Sequence, residues 1–224
     1  MAVVAGANSG LGSELCARLV RRGFQVAALG REAALAAVRR DVPSAMPLVC
    51  DFGVAGEVDE AFGRLEKVWG AASVVVYNAH RIELRAFEDT SLALFEESWR
   101  ANCYGAFVVA RRALPGMLQQ GGGTLMFSGA TGSRRGGARA AAFSSSKFAL
   151  RGLAQALARE YTSSGVHVAH VVLDGLIWSE RTRQRFNPEE RHCMSAAAVA
   201  EAYLAVIEQD RSAWTSELDL RPPR

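Results

Sequence analysis

The chain has 224 residues, 50% of them hydrophobic and 22% charged, which is typical of a folded globular protein and excludes a disordered or repetitive one. The formal net charge is only +3, so bulk electrostatics give no argument for nucleic-acid binding. No apolar run is long enough to cross a bilayer, and we expect one domain over residues 1–224 without a membrane partner.

The cysteines and the first residues bear on the compartment in which the protein works. The cysteines are scattered and form no CxxC pair, so neither a disulfide framework nor a metal site is expected. The chain starts with apolar and glycine-rich residues rather than with the basic start of a secretory signal. We therefore expect a reducing, cytoplasmic compartment and free thiols at Cys16, Cys50, Cys103 and Cys193.

Short runs rich in valine and leucine alternate with longer helical patterns along the chain. The patterns predict strands at 3–5, 26–29, 48–50, 74–77, 124–127 and 166–173, and helices at 11–22, 32–39, 54–69, 95–118, 140–161 and 195–208. Strands that are apolar on both faces are typical of a parallel sheet covered by helices on both sides. The alternation predicts an α/β fold, a Rossmann-type doubly wound domain with a mostly parallel sheet. Residues 214–220 favour one further strand, and the last four residues are expected to fray.

A glycine-rich turn joins the first predicted strand to the first predicted helix. Glycines are needed where the backbone turns sharply and approaches a pyrophosphate, and the amino end of the helix offers free N–H groups to the anion. The position between strand and helix favours a dinucleotide site over the alternative, a structural turn without a ligand. The expected phosphate contacts are Gly6, Asn8, Ser9, Gly10, Leu11 and Gly12.

The spacing of these glycines is GxxxGxG, which resembles that of the short-chain dehydrogenase/reductase family. Five further motifs follow in the order of that family, and the resemblance covers essentially the whole chain. They are Asp51 after the third strand, Asn78-Ala79 after the fourth, Asn102, Lys147, and the segment Asp174-Gly175-Leu176-Ile177-Trp178-Ser179. The resemblance implies an NAD(P)-dependent oxidoreductase whose cofactor is held by Asp51, Phe52, Asn78, Ala79, Lys147, Gly175 and Ile177 in addition to the glycine-rich turn.

The end of the second strand selects between the two nicotinamide cofactors. A carboxylate there favours the bare ribose hydroxyl of NAD, whereas a guanidinium can hold the 2′-phosphate of NADP. The chain has Gly30 followed by Arg31, which predicts NADP(H) in preference to NAD(H). Glu32 follows at once and opposes this prediction, and Arg31 could alternatively be a solvated residue that opens the next helix.

The resemblance places the family's proton-donating tyrosine at Phe143 and its polarising serine at Ala130. Lys147 and Asn102 remain of the four catalytic groups that the family uses. Loss of a positioned general acid typically lowers the rate by about 10²–10⁴-fold, so the family's usual mechanism should give almost no activity here. An active enzyme therefore needs a substitute acid.

Two residues are candidates for that substitute. His80 stands where the family has the glycine of its Asn-Ala-Gly element, and imidazole titrates near neutral pH. The alternative for His80 is a solvent-exposed loop histidine. Lys147 could donate a proton directly. The polarising serine, rather than the acid, could be replaced by Ser128 if the end of its strand is bulged so that the hydroxyl reaches inward.

Two arginine-rich segments follow strand ends and are expected to border the site. Both could attract an anionic substrate, although solvated surface charge is the plainer alternative. The second belongs to residues 179–194, which we interpret as a mobile excursion over the site or, alternatively, a plain surface loop. The arginines are Arg134, Arg135 and Arg139 in the first segment and Arg181, Arg183 and Arg185 in the second.

Two functional hypotheses follow. The first is an NADP(H)-dependent oxidoreductase that acts on a small carbonyl compound or alcohol through an altered active site. The alternative is a catalytically inactive NADP(H)-binding sensor or scaffold. The helical patterns 95–118 and 140–161 are apolar over more than one face, which favours a homodimer or homotetramer over packing within the monomer alone.

Overall fold

The computed structural model describes residues 1–222, and seven strands form one sheet in it. The strands are β1 (Ala2–Ala5), β2 (Val26–Gly30), β3 (Met46–Val49), β4 (Val74–Tyr77), β5 (Gly123–Ser128), β6 (Val166–Leu173) and β7 (Glu217–Leu220). Their order is β3-β2-β1-β4-β5-β6-β7, and each neighbouring pair is parallel. The Rossmann-type α/β fold predicted from the sequence is confirmed, and the segment 214–220 contributes the last strand.

Helices cover both faces of this sheet. The helices are α1 (Leu11–Arg21), α2 (Glu32–Asp41), α3 (Ala55–Trp69), α4 (Leu92–Trp99), α5 (Gly105–Gln119), α6 (Ala141–Tyr161), α7 (Glu180–Phe186) and α8 (Ala196–Ile207). Side chains of α3, α5 and α6 form one apolar cluster with the sheet, and side chains of α1, α2 and α8 form the other. The burial of both faces explains why the strands contain so few polar residues.

The chain order reverses at β1, which lies between β2 and β4. Ligands of open α/β sheets bind in the crevice outside the carboxyl ends of the strands at such a reversal. β1 runs into the glycine-rich turn and β4 runs into Asn78 and Ala79, so both predicted motifs lie at this crevice.

The long helical pattern at 95–118 is broken in the structure. α4 and α5 are joined by one π-helical turn at Arg100–Tyr104, which contains Asn102. The helix also starts earlier than predicted, because the Ser91 hydroxyl accepts a hydrogen bond from the Leu94 N–H and caps α4. Insertions of this kind are frequent at functional sites, because they re-aim one side chain without ending the helix.

The segment 179–194 has more secondary structure than its polar composition indicated. It contains α7, capped by the Ser179 hydroxyl, and a short helical turn at Glu190–His192. The expected fraying of the chain end concerns in part Pro223 and Arg224, which lie outside the described residues. None of the helices within residues 1–222 combines the length and the apolar character that a membrane span requires.

Candidate active site

One cleft opens at the carboxyl ends of the central strands. Its floor includes the glycine-rich turn and the amine of Lys147, and α7 supplies one wall. Eleven of the predicted site residues line it, namely Asn8, Ser9, Gly10, Leu11, Asn78, His80, Ser128, Phe143, Lys147, Gly175 and Ile177. The cleft therefore unites the predicted phosphate, nicotinamide and catalytic positions.

The glycine-rich turn packs so tightly against neighbouring backbone that Gly6 and Gly12 have no room for a side chain. A Cβ on Gly6 would lie 2.3 Å from the Ala79 nitrogen, and a Cβ on Gly12 would lie 2.6 Å from the Gly6 carbonyl oxygen. The side-chain amide of Asn78 donates to that same carbonyl at 3.1 Å, which fixes the turn to the end of β4. Gly6, Gly12 and Ala79 thus shape the site from behind rather than line the cleft.

The amino end of α1 leaves hydrogen-bond donors available for an anion. Gly10 precedes the helix with φ of 88°, and no side chain caps it. Within the described residues, the backbone N–H groups of Leu11 and Gly12 have no backbone acceptor, whereas that of Ser13 bonds to the Asn8 carbonyl. Free N–H groups at a helix start, together with the helix dipole, fit a pyrophosphate.

The adenosine side of the predicted site lies at the ends of β2 and β3. Arg31 is exposed ahead of α2, and within residues 1–222 it forms no ion pair. The neighbouring Glu32 is instead held by Arg39 through contacts of 2.5 and 3.0 Å, and this hydrogen bonding lowers the pKa of the Glu32 carboxyl. The carboxylate that opposed an NADP(H) preference is therefore engaged elsewhere.

Asp51 and Phe52 follow β3 and differ in their surroundings. Asp51 is exposed, and its Oδ1 accepts from the Gly53 N–H at 2.8 Å, so the carboxylate orders its own turn. Phe52 is buried and packs edge-on against Tyr77, with ring centroids 5.6 Å apart. Neither side chain lines the cleft, and the two remain predicted contacts of an adenine ring.

Lys147 is the most unusual ionisable group of the cleft. Its side chain is 1% exposed, and its Nζ donates to the Ser128 carbonyl oxygen at 2.8 Å. Burial without a carboxylate partner disfavours the ammonium and lowers the pKa of Lys147 to about 7. The amine is thus poised to gain or lose a proton near neutral pH.

Phe143 and Ala130 stand where the resemblance placed the tyrosine and the serine. Both line the cleft, and neither side chain has a hydroxyl. Phe143 is buried against Gly132, whose Cβ, if present, would lie 3.1 Å from the ring. The nearby hydroxyls are engaged elsewhere: Ser128 pairs with the Tyr203 hydroxyl at 2.8 Å, and Thr131 donates to Asp174 at 2.6 Å.

The geometry of His80 argues against the predicted role of a substitute acid. Its Nδ1 lies 3.2 Å from the Asn78 carbonyl oxygen, which can only accept, so Nδ1 carries the proton and Nε2 is an acceptor. The residue is accessible from the cleft, but enclosure by the surrounding protein and the positive charge of Lys147 lower the pKa of His80. The imidazole is consequently neutral at pH 7.

Asn102 does not line the cleft, although it was predicted as a relay group. Its side chain is fully buried and clamps Arg81, accepting from the Arg81 N–H and donating to the Arg81 carbonyl, both at 2.9 Å. A third bond of 2.9 Å reaches Ser146 on α6. The asparagine thereby fixes the segment that carries His80 and Ile82 to the helix that carries Lys147.

The sequence analysis missed several wall residues and placed others correctly. Arg181 and Arg185 line the cleft as expected, whereas Arg134 and Arg135 border a separate hollow beside Asp174. No local pattern marks the missed residues, because the fold brings them together from distant parts of the chain. They are the apolar Ile82, Leu173 and Phe186, together with Gly129 and Thr182.

Comparisons with known proteins agree with this geometry. The family model described as short chain dehydrogenase matches residues 1–189. A 3-oxoacyl-[acyl-carrier-protein] reductase from Mycobacterium bovis is 31% identical over 81% of this chain and 70% of its own length. The structure is similar to that of a short-chain dehydrogenase from Rhodopseudomonas palustris, with TM-score 0.84 and 30% identity over 99% of this chain and 98% of the other. It also resembles an actinorhodin polyketide ketoreductase solved with NADPH, with TM-score 0.89 and 25% identity over 98% and 95% of the two chains.

Proposed function

Because this chain belongs to the short-chain dehydrogenase family, we propose that it is an NADP(H)-dependent oxidoreductase that interconverts a small carbonyl compound and its alcohol. One observation carries the proposal: a single cleft joins the free N–H groups of the glycine-rich turn to the buried amine of Lys147. An inactive scaffold would need the anion-binding turn but would have no use for a buried amine that titrates near pH 7. We place this activity in the cytoplasm.

The residues fit a nicotinamide dinucleotide. Leu11 and Gly12 offer N–H groups to the pyrophosphate, Asp51 and Phe52 follow the strand that borders the adenosine side, and Gly175 and Ile177 lie along the opposite end of the cleft. Arg31 has no ion-pair partner among the described residues, and this supports binding of a 2′-phosphate and hence NADP(H). The solved ketoreductase with NADPH is consistent with this choice.

We assign the proton transfer to Lys147. In the reduction direction the carbonyl carbon takes up a hydride, which bound NADPH supplies. The carbonyl oxygen requires a proton, and the Lys147 ammonium donates it, since Phe143 has none to give and the single N–H of neutral His80 bonds to Asn78. Lys147 is left as a neutral amine and regains its proton from solvent. Phe143 excludes water from the same wall of the cleft.

The first test is a titration of the purified protein with NADPH and with NADH, followed by tryptophan quenching. Trp178 lies between Ile177 and Ser179, so binding at the nicotinamide end should change its emission. We expect tight NADPH binding, weaker NADH binding, and NADPH oxidation with some member of a carbonyl panel that Lys147→Met abolishes. Failure to bind either nucleotide would refute the proposal, and tight binding with no turnover would favour the sensor alternative.

A double variant tests the altered catalytic positions. Phe143→Tyr together with Ala130→Ser restores the two hydroxyls that the family uses, and we expect a rate increase of about 10²-fold or more. The single Ala130→Ser variant is the control, because a hydroxyl at that position cannot replace the acid. A double variant without activity would indicate that other residues of the cleft wall also differ from those of active family members.

We further propose that the protein forms a homodimer or homotetramer. Large apolar side chains are exposed on neighbouring helices, with Leu92 at 91%, Phe95 at 45% and Trp99 at 42% on α4. Phe107 on α5 and Phe148 on α6 are exposed to a similar extent, at 46% and 44%. Such a concentration of apolar surface is typical of an interface. Residues 179–194 remain our proposal for the lid of the cleft.

A further inference from the structure

The side chains of the cleft have an unbalanced charge. The described residues that line the cleft include three basic residues, Lys147, Arg181 and Arg185, and no aspartate or glutamate. The two arginines belong to α7, which supplies one wall of the cleft and whose capping residue Ser179 lies beside Gly10 of the glycine-rich turn. The same wall carries the apolar side chains of Ile177 and Phe186, and the hydroxyls of Ser179 and Thr182, which bond to each other.

Among the described residues, one of the three arginines of α7 has a side chain with no hydrogen-bond or ion-pair partner. Arg185 donates to the Ile82 carbonyl at 2.6 Å and lies 3.4 Å from Glu83, and Arg183 forms contacts of 2.6 and 2.8 Å with Glu180 outside the cleft. Within residues 1–222, Arg181 has neither a hydrogen bond nor an ion pair from its side chain. A guanidinium without a partner at the edge of an acid-free cleft is suited to bind an oxyanion.

Arg181 lies close enough to His80 for its charge to act on the imidazole, at the end of the cleft where we place the reaction. Its positive charge, like that of Arg185, contributes to the lowered pKa of His80, after enclosure of the ring and the charge of Lys147. His80 directly follows the Asn78-Ala79 pair and lies on the same cleft as Phe143 and Lys147. An anionic group held by Arg181 would therefore belong to a molecule that also reaches the proton donor.

We propose that the substrate is a small, mainly apolar carbonyl compound with one carboxylate, and that Arg181 binds this carboxylate. The inference rests on the oxidoreductase function proposed above. A single guanidinium can pair with a carboxylate through two parallel hydrogen bonds. The apolar side chains Ile82, Phe143 and Phe186 contact the rest of the substrate.

The test compares oxo acids with their neutral methyl esters. Members with increasing distance between carbonyl and carboxylate are added to the NADPH-saturated protein, and binding is followed by ligand-observed NMR and kcat/KM by NADPH oxidation. For the best member we expect the acid to be preferred over its ester by roughly 10- to 100-fold, as a charged hydrogen-bonded pair would give. Arg181→Gln should remove that preference.

Arg183→Gln is the matched control, because it makes the same change two residues away, on a side chain that pairs with Glu180 outside the cleft. We expect it to keep the preference for the acid, and we expect both variants to bind NADPH as the unmodified chain does. Weaker NADPH binding in Arg181→Gln would assign the guanidinium to the cofactor instead and would overturn the inference. So would acids that bind no better than esters, or a preference that survives Arg181→Gln.

Two further outcomes separate this inference from others. A keto phosphate monoester that binds more tightly than every oxo acid would overturn the carboxylate assignment in favour of phosphate. If the unmodified chain fails to bind NADPH or to oxidise it with any carbonyl compound, the proposed function fails. If it does both with no effect of Arg181→Gln on substrate choice, only the substrate class fails.

Discussion

At the scale of single residues, the unusual feature is the buried amine of Lys147, four residues after Phe143, where the resemblance predicts a tyrosine. Among residues 1–222, the Nζ of Lys147 has one hydrogen bond, to the Ser128 carbonyl, and no carboxylate near enough to pair with it. The loss of hydration therefore decides its protonation, and its pKa falls to about 7. A lysine in this state can serve as the acid that Phe143 cannot be.

The pH dependence of carbonyl reduction tests this role. The protonated amine is the donor and predominates below pH 7, so kcat/KM should be constant there and fall about tenfold per pH unit above about pH 7. The measurement is kcat/KM for the carbonyl substrate as a function of pH at saturating NADPH, which gives the pH at which the decrease begins. A profile that stays flat to about pH 9 would exclude Lys147 as the donor.

The same pKa predicts how stability depends on pH. The unfolded chain keeps Lys147 protonated up to about pH 10.4, whereas the folded chain releases the proton near pH 7. Burial of the charged amine therefore lowers the folding stability to its full extent below about pH 7, and this destabilisation disappears as the pH rises toward 10.4. Lys147→Met should raise the melting temperature at pH 6 by several degrees, and the gain should shrink at pH 9.5. A gain that is independent of pH would mean that packing rather than charge is responsible.

At the scale of secondary-structure elements, α2 bears on the proposed preference for NADP(H), because the sequence left open which arginine pairs with Glu32. Arg31 precedes the helix, and Glu32 in its first turn is held by Arg39 two turns along. The sequence shows that all three residues are present. The helix determines that Arg39, rather than Arg31, takes the carboxylate.

Arg39→Gln should release Glu32 to repel a 2′-phosphate. We expect the ratio of NADPH to NADH affinity to fall by about 2- to 5-fold only, since exposed ion pairs contribute little. The addition of Glu32→Gln should restore the ratio. Arg40→Gln is the control, because Arg40 pairs with Asp41 on the same helix. Equal effects of the two arginine substitutions would show that only net charge matters.

The π-helical turn between α4 and α5 is a second feature of this scale. The apolar periodicity predicted one continuous helix, because a single inserted residue barely changes the pattern. The insertion places Asn102 so that its amide bonds both to Arg81 and to Ser146. The predicted relay group therefore acts in this structure as a clamp between the His80 segment and α6.

At the scale of the whole molecule, apolar side chains exposed on α4, α5 and α6 predict self-association. We expect light scattering after size-exclusion chromatography to give a mass of two or four chains. Phe95→Glu combined with Phe148→Glu should shift the protein toward monomer, because buried carboxylates lack partners there. The control is Phe87→Glu, since Phe87 is 81% exposed in the loop before α4. A monomeric unmodified chain would refute the proposal.

The fold and the close packing of the glycine-rich turn could be predicted because they depend on local rules. Alternation of apolar strands and helices determines a doubly wound sheet, and the glycines between β1 and α1 are required by the 2.3 and 2.6 Å approaches of neighbouring backbone. The position of Lys147 four residues after Phe143 is likewise fixed by one helix. These features need no knowledge of distant contacts.

The protonation and the charge balance of the cleft could be decided only by the tertiary structure. Whether Lys147 is buried, whether His80 donates or accepts, and which arginine lacks a partner depend on groups far away in the chain, such as Ser128, Asn78 and Ile82. The sequence by itself determined which chemical groups the protein has and which fold carries them. Folding decided which of these groups lose water, and that loss sets their pKa and their availability to a ligand.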